Sequence, residues 1–267
     1  MTLLSHAFRC VQYMAFHLLL ADIPAARDIA ERAFDRISFR QEGERLNVWC
    51  ALMTLELKYG TDESLQKTID RACKHNNPKH VYLRICEILA KQSRDSPHVP
   101  LNRTDEMYLK MCKKFKGKKK AWLAYIEYLL KSARHEEAHD IAKRALKSLP
   151  AYKHVETMKK VAQLEFEYGS HDRARTLFDG LLLKNPKRLD VFFVYVDKEV
   201  KHGDVDSARL LFQKQSGKSG ATKMKLSDKQ MKSFFKKWFA FEEKHGTMND
   251  QEAVKDAARS YVERASS

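Results

Sequence analysis

The sequence predicts an all-α chain, an α-solenoid of about seven helical hairpins. Three observations carry that reading. The breaks Tyr59-Gly60-Thr61-Asp62, Tyr168-Gly169-Ser170, His202-Gly203-Asp204 and His245-Gly246-Thr247 are one turn repeated. Eleven residues before these glycines stand Trp49, Met158, Phe192 and Phe235, and four before them stand Glu56, Glu165, Glu199 and Glu242. The helices that follow such breaks repeat as well. Ala26, Ile29, Ala30, Ala33, Phe34 and Ile37 match Ala138, Ile141, Ala142, Ala145, Leu146 and Leu149 position for position. Gly169 to Gly203 is 34 residues and Ala138 to Ala174 is 36, a period proper to two-helix repeats.

The stretch from Lys153 to Pro186 shows the unit most plainly. After Gly169, Ala174, Leu177, Phe178, Leu181 and Leu182 fall at helical spacing and share one face. Before it, Val161, Leu164, Glu165 and Tyr168 make a second, partly apolar face. Gly169 suits a left-handed position past a helix end, and Ser170 or Asp172 is placed to cap the next helix.

Taken in order, one domain over 1–267 is expected, with repeats near 2–38, 44–77, 78–116, 118–150, 152–186, 188–216 and 227–265. The first helix, 2–19, is strongly apolar (Leu3, Leu4, Phe8, Val11, Met14, Phe16, Leu18). Solenoid ends need polar caps, so this helix is expected to pack on a preceding element, and the chain reads as a fragment. Pro97 and Pro100 mark a loop from Ser93 to Thr104 inside the third repeat, and Ser216–Lys225 reads as a mobile loop before the last. Leu129 stands where a glutamate is expected after Trp122. The second helix of the sixth repeat loses its apolar end at Gln215 and Ser216.

Composition agrees: 43% hydrophobic residues suffice for a core, and 9 Gly with 6 Pro suit a helical chain. The five cysteines (Cys10, Cys50, Cys73, Cys86, Cys112) show no C-x-x-C spacing and read as reduced packing residues. No apolar run reaches the ~18 residues of a membrane span, and no secretory signal is visible. Charge is uneven. The first 100 residues hold 14 basic and 12 acidic groups of the 50 and 35 in the chain, which leaves 36 against 23 in the rest. Such asymmetry points to a polyanionic partner, nucleic acid first.

Two lysine clusters carry most of the excess. From 110 to 120 there are seven lysines and no acid: Lys110, Lys113, Lys114, Lys116, Lys118, Lys119 and Lys120. From 214 to 237 there are eight, with Asp228 between them: Lys214, Lys218, Lys223, Lys225, Lys229, Lys232, Lys236 and Lys237. The candidate nucleic-acid contacts are the first seven with Lys218, Lys223, Lys225, Lys232, Lys236 and Lys237. The bland alternatives are a solvated face or a surface for acidic protein segments.

Other motifs fail on context. His135-Glu136-Glu137-Ala138-His139 satisfies H-E-x-x-H, the helical spacing of a zinc hydrolase. Yet Ala138 is already a packing residue of the array, and charge surrounds the motif. Ser216-Gly217-Lys218-Ser219 resembles the tail of a phosphate-binding loop, but Phe212 stands where its first glycine is needed. No catalytic residue, cofactor, metal, membrane contact or small-molecule substrate is expected.

An aromatic with a glutamate on the first helix, and A-R-x-x-x-E-R-A on the second, resemble the HAT (half-a-tetratricopeptide) repeat of RNA-processing proteins. The run from Met14 to Gly60 is closer still. With Tyr108–Tyr125, Pro186-Lys187-Arg188-Leu189-Asp190-Val191 and Phe234-Phe235-Lys236-Lys237…Tyr261-Val262-Glu263, it resembles the C-terminal HAT region of the ribosomal RNA processing protein five family. That resemblance covers nearly the whole chain. It implies a nucleolar pre-ribosome assembly factor whose partners are pre-ribosomal RNA and other assembly proteins, and whose RNA-binding S1 domains lie outside this chain. A HAT scaffold of a splicing or messenger-RNA 3′-end factor is the alternative.

Overall fold

The computed structural model describes residues 5–95, 101–216 and 226–266. They form fourteen α-helices and no strand among the described residues. The helices are α1 (His6–Leu19), α2 (Ile23–Arg36), α3 (Glu42–Tyr59), α4 (Asp62–His75), α5 (Pro78–Asp95), α6 (Leu101–Lys114) and α7 (Lys119–Lys131). They continue as α8 (His135–Ser148), α9 (His154–Tyr168), α10 (His171–Lys184), α11 (Leu189–Lys201), α12 (Val205–Gln215), α13 (Asp228–His245) and α14 (Met248–Ser266), with a 3₁₀ turn at Ala151–Lys153. The chain is therefore all-α, an α-solenoid of helical-hairpin repeats.

It forms two compact units, Met1–Tyr128 and Leu129–Ser267. In the first, α3 packs on α1, α2, α4 and α5, and α5 packs on α6. In the second, α9 packs on α8, α10 and α11, α11 on α12, and α13 on α14. Within each unit these helices rest mainly on their neighbours in sequence, as a repeat array requires. Starts are marked by side chains that accept a backbone N–H: Ser5, Asp22, Thr61, Ser170, Asp204 and Ser227.

The repeated small and aliphatic residues are the packing face. Ala26, Ile29, Ala30 and Ala33 of α2 and Ala138, Ile141, Ala142 and Ala145 of α8 are all buried. Aromatics fill the remaining space. Trp49 stacks on Phe34 at 3.9 Å, and Tyr108 lies against Tyr125 and Tyr128 at 5.0 and 4.9 Å. In the second unit, Phe178 stacks on Tyr195 at 4.8 Å and Phe212 on Trp238 at 5.7 Å. Burying each such ring is worth roughly 1.5–3 kcal/mol.

The four recurring glutamates belong to this core, as their fixed place in the repeat suggests. Glu56, Glu165, Glu199 and Glu242 are between 1% and 5% exposed. Three are clasped by an arginine from the second helix of the preceding repeat. Arg27 donates from Nε and Nη2 to Glu56 at 2.7 and 3.1 Å, and Arg175 donates likewise to Glu199 at 2.8 and 2.9 Å. Arg209 donates to Glu242 at 3.0–3.2 Å, where Trp238 Nε1 adds a bond of 3.2 Å. Each arginine directly follows the alanine of the A-R pair: Ala26, Ala174 and Ala208. In the helix before Glu165 that position is His139, and Glu165 instead accepts the Ser170 N–H at 3.3 Å. Burial works against the Glu56 carboxylate, but the Arg27 guanidinium and Ser64 hydroxyl outweigh it and hold its pKa below the usual range.

The same carboxylates explain the turn glycines. Gly169 has an extended φ of −123°, not the left-handed conformation that the sequence suggests. It is glycine because Glu165 folds back over it. A Cβ there would lie 2.0 Å from Glu165 Oε2, and Gly60 and Gly246 meet Glu56 and Glu242 in the same way at 2.2 and 2.3 Å. The left-handed turn does occur, at Gly203 (φ 85°) and, without glycine, at Ala21 (φ 57°) and Ala133 (φ 56°). Two kinds of turn therefore alternate under one sequence pattern.

Two loop expectations also shift. The helix α5 runs on to Asp95 and α6 begins at Leu101, so the expected Ser93–Thr104 loop is mostly helix. Ser93 and Thr104 share a hydrogen bond of 2.8 Å that draws the two helices together. The expected loop at 216–225 lies outside the described residues except for Ser216, which caps α12.

These turns predict opposite outcomes for one substitution. Gly169→Ala should lower stability by about 3 kcal/mol, because the buried Glu165 carboxylate or the backbone must move. Gly203→Ala should cost only about 1 kcal/mol, since the space is open and Ala already adopts this conformation twice. Urea unfolding of both variants checks the pair, and equal losses would contradict the assignment.

Candidate nucleic-acid interface

The cluster at 110–120 sits where α6 ends and α7 begins. Lys110, Lys113 and Lys114 belong to the end of α6, Lys116 and Lys118 to the connection, and Lys119 and Lys120 to the first turn of α7. Lysines suit a helix C-terminus, where carbonyl dipoles are negative. They are unfavourable at a helix N-terminus, where the dipole is positive. The first turn of α7 holds no acid to offset them.

The connection is held rigid by its neighbours. Trp122 Nε1 donates to the Lys116 carbonyl at 2.8 Å, the Lys118 N–H to the Phe115 carbonyl at 2.8 Å, and the Cys112 thiol to the Ala121 carbonyl at 3.6 Å. Trp122, Cys112 and Ala121 are buried, so these bonds tie the connection to the core. Lysine heads are thus presented on fixed backbone.

Not all seven are equally available. Lys110 Nζ donates to Gln66 Oε1 at 2.9 Å, and Lys114 Nζ lies 4.8 Å from the centre of the Tyr82 ring. Burial pushes the Tyr82 hydroxyl and the Cys73 thiol above their usual values, against the pull of Lys114. Lys113, Lys116, Lys118 and Lys120 are exposed and Lys119 half-buried. Beside Lys110 opens a groove of about 550 Å³ between α4 and α6, floored by Leu65, Ile69 and Met107 and closed at its far end by Arg103 on Asp62.

The second cluster is not gathered in the same way. Lys218, Lys223 and Lys225 lie outside the described residues. Lys232 and Lys236 are exposed on α13, whereas Lys237 is paired with Asp197 at 2.9 Å and leans on the Phe193 ring. Lys237 is therefore a bridge between α13 and α11 rather than a free cation.

The H-E-x-x-H segment lies at the start of α8, as expected. Glu136 is held by Arg173 and Glu137 by Arg134, both with pKa values lowered by these arginines. Among the described residues no three His, Cys, Asp or Glu side chains come together as a metal site. The cysteines are free; Cys86 and Cys112 are buried, and burial pushes the Cys50 thiol up to about 11. No described helix is long and apolar enough to cross a membrane.

Fold and surface together define a class: an all-α protein of repeated helical hairpins with a dense lysine cluster where α6 meets α7. The chain matches no protein-family model. Curated relatives place it more narrowly. It is 41% identical over 257 residues to the protein RRP5 homologs of Mus musculus and Homo sapiens, covering 96% of this chain and 13% of theirs. It is 39% identical over 252 residues to the rRNA biogenesis protein rrp5 of Schizosaccharomyces pombe, covering 94% of this chain and 14% of that one. The chain fits a region of the RRP5 family and spans about an eighth of those relatives' length. The pre-mRNA-splicing factor CLF1 of Paracoccidioides brasiliensis is 29% identical over 103 residues, which is 36% of this chain. A tetratricopeptide repeat protein from Parabacteroides merdae aligns at 12% identity with a TM-score of 0.38, too distant to add to the fold above.

The rigidity of the 115–118 connection is testable alone. Trp122→Phe keeps the ring but removes the bond to the Lys116 carbonyl, a loss of about 1 kcal/mol. Amide exchange at residues 116–120 should quicken about fivefold while that of α3 stays unchanged. No local change would mean that the tryptophan bond does not hold the connection.

Proposed function

We propose that this chain is a non-enzymatic scaffold within ribosomal RNA biogenesis, docking assembly proteins on its repeats and contacting pre-ribosomal RNA through the 110–120 lysines. The observation that carries the RNA contact is the cluster's arrangement: seven lysines without an acid, four of them on a rigid connection and at a helix start that disfavours positive charge. Phosphate relieves that repulsion and releases counterions. Lysine reads no base edge, so the contact is to backbone and shape. The names of the relatives support the biogenesis role, and the repeat fold supports scaffolding. The α4–α6 groove offers an apolar floor beside Lys110, a fit for a protein segment. Such a factor works in the nucleus and nucleolus, with no cofactor or small-molecule substrate.

The test uses Lys113, Lys116, Lys118 and Lys120 changed together to Glu. Lys110 and Lys114 are left in place because they make contacts within the fold. Helical content should be retained, since acid at the start of α7 is favourable. Affinity for structured ribosomal RNA should fall for all sequences, and the slope of log K against log salt should flatten by up to about 3. Unchanged affinity and slope with loss of a co-purifying assembly protein would assign the cluster to acidic protein segments instead.

A further inference from the structure

The second helices of the first unit are bridged in two different ways. Between α2 and α4 the bridge is direct: Arg71 donates from both Nη atoms to the two Glu31 oxygens, each at 2.8 Å. The same positions one repeat on are Asp70 of α4 and Lys110 of α6, and here Gln66 stands between them. Its Nε2 donates to Asp70 at 2.9 Å, and its Oε1 accepts from Lys110 Nζ at 2.9 Å. Lys110 therefore faces a neutral amide where Arg71 faces a carboxylate.

Between this bridge and the Arg103–Asp62 pair lies the groove of about 550 Å³. Leu65, Ile69 and half-buried Met107 floor it. Arg103 and Lys110 are two turns apart on α6, roughly 10 Å, so the slot suits one or two side chains rather than a whole helix. Its two ends differ in charge. Lys110, Lys113 and Lys114 stand at one end with no acid between them, whereas Asp62 neutralises Arg103 at the other. Glu106, exposed on the rim one turn before Lys110, repels anions from the middle.

We infer, building on the protein-docking role proposed above, that this groove takes a short acidic segment of another protein. One or two large apolar side chains of that segment lie on the floor, with carboxylates on one side of them against Lys110. The apolar side chains leave water, and the carboxylates give Lys110 the counter-charge that Gln66 lacks. Nucleic acid is the poorer fit. Among the described residues no aromatic ring lines the groove for a base to stack on, and Glu106 opposes phosphate.

Selection of phage-displayed random peptides on this chain tests the inference. Enriched peptides should carry a Leu, Ile, Met or Phe with two or more Asp or Glu on one side only. In fluorescence polarisation the enriched peptide should bind Met107→Gln and Lys110→Glu each about fivefold more weakly, with helical content unchanged. Lys110 is exposed, so its variant decides the matter if Met107→Gln disturbs the fold. Structured ribosomal RNA, titrated in parallel, should bind Met107→Gln as it binds the wild type. A loss of RNA affinity in that variant would give the groove to nucleic acid and overturn the inference. No enrichment, peptides without the acidic side, or peptides that bind both variants like the wild type overturn it too. RNA affinity that stays intact in those three cases leaves the lysine-cluster contact standing, so the two readings fail separately.

Discussion

The clasp of a buried glutamate by an arginine of the preceding repeat is the interaction on which the array depends. Removing a carboxylate from water costs several kcal/mol unless hydrogen bonds and a counter-charge replace the solvent. Glu199 meets that condition only when α10 brings Arg175 to it, and Glu242 only when α12 brings Arg209. Apolar stripes alone tolerate sliding by a turn, because alanine and leucine fit many partners. A bidentate pair does not. Its geometry fixes which residue of one repeat faces which residue of the next.

The array also shows what happens where the clasp is absent. In α5 the matching buried position is Leu89, and the matching position in α4 is Gln66, which faces Lys110. Both halves have changed together, as the energetics demand: an arginine without its glutamate is harmless, but a buried glutamate without its arginine is not. Glu165 is the intermediate case, with His139 in the arginine's place and the Ser170 N–H as its bond. The first unit, freed of the clasp near α6, is where the lysines crowd. An array that holds its helices in register by internal ion pairs leaves these other cations out of its own packing.

How much of this was legible beforehand follows from what each signal measures. Apolar periodicity reports one face of one helix, so helix count, pairing and the packing residues Ala26, Ala142 and Ala145 were readable. The spacing of Glu56, Glu165, Glu199 and Glu242 was readable too, and their recurrence at one repeat position marked them for packing. The arginine that clasps three of them was not, because that contact joins residues 24 to 33 positions apart. The missing clue was the joint loss of glutamate and arginine between repeats, which one sequence does contain. Gly169 misled for a related reason: glycine after a helix suggests a left-handed turn, and nothing local reveals a carboxylate four residues back folding over it. At the lysine cluster, composition exposed the charge, whereas the engagement of Lys110, Lys114 and Lys237 depended on contacts distant in sequence.

A double-mutant cycle on Arg175→Met and Glu199→Leu tests the clasp most directly, with unfolding free energy as the readout. Arg175→Met alone should cost about 3–5 kcal/mol, because it strands a buried carboxylate. Glu199→Leu alone should cost little, since Arg175 is partly exposed and keeps its bond to Asp204. The double variant should recover most of the loss, as the natural Gln66 and Leu89 pairing implies. Additive losses in the double variant would contradict the account.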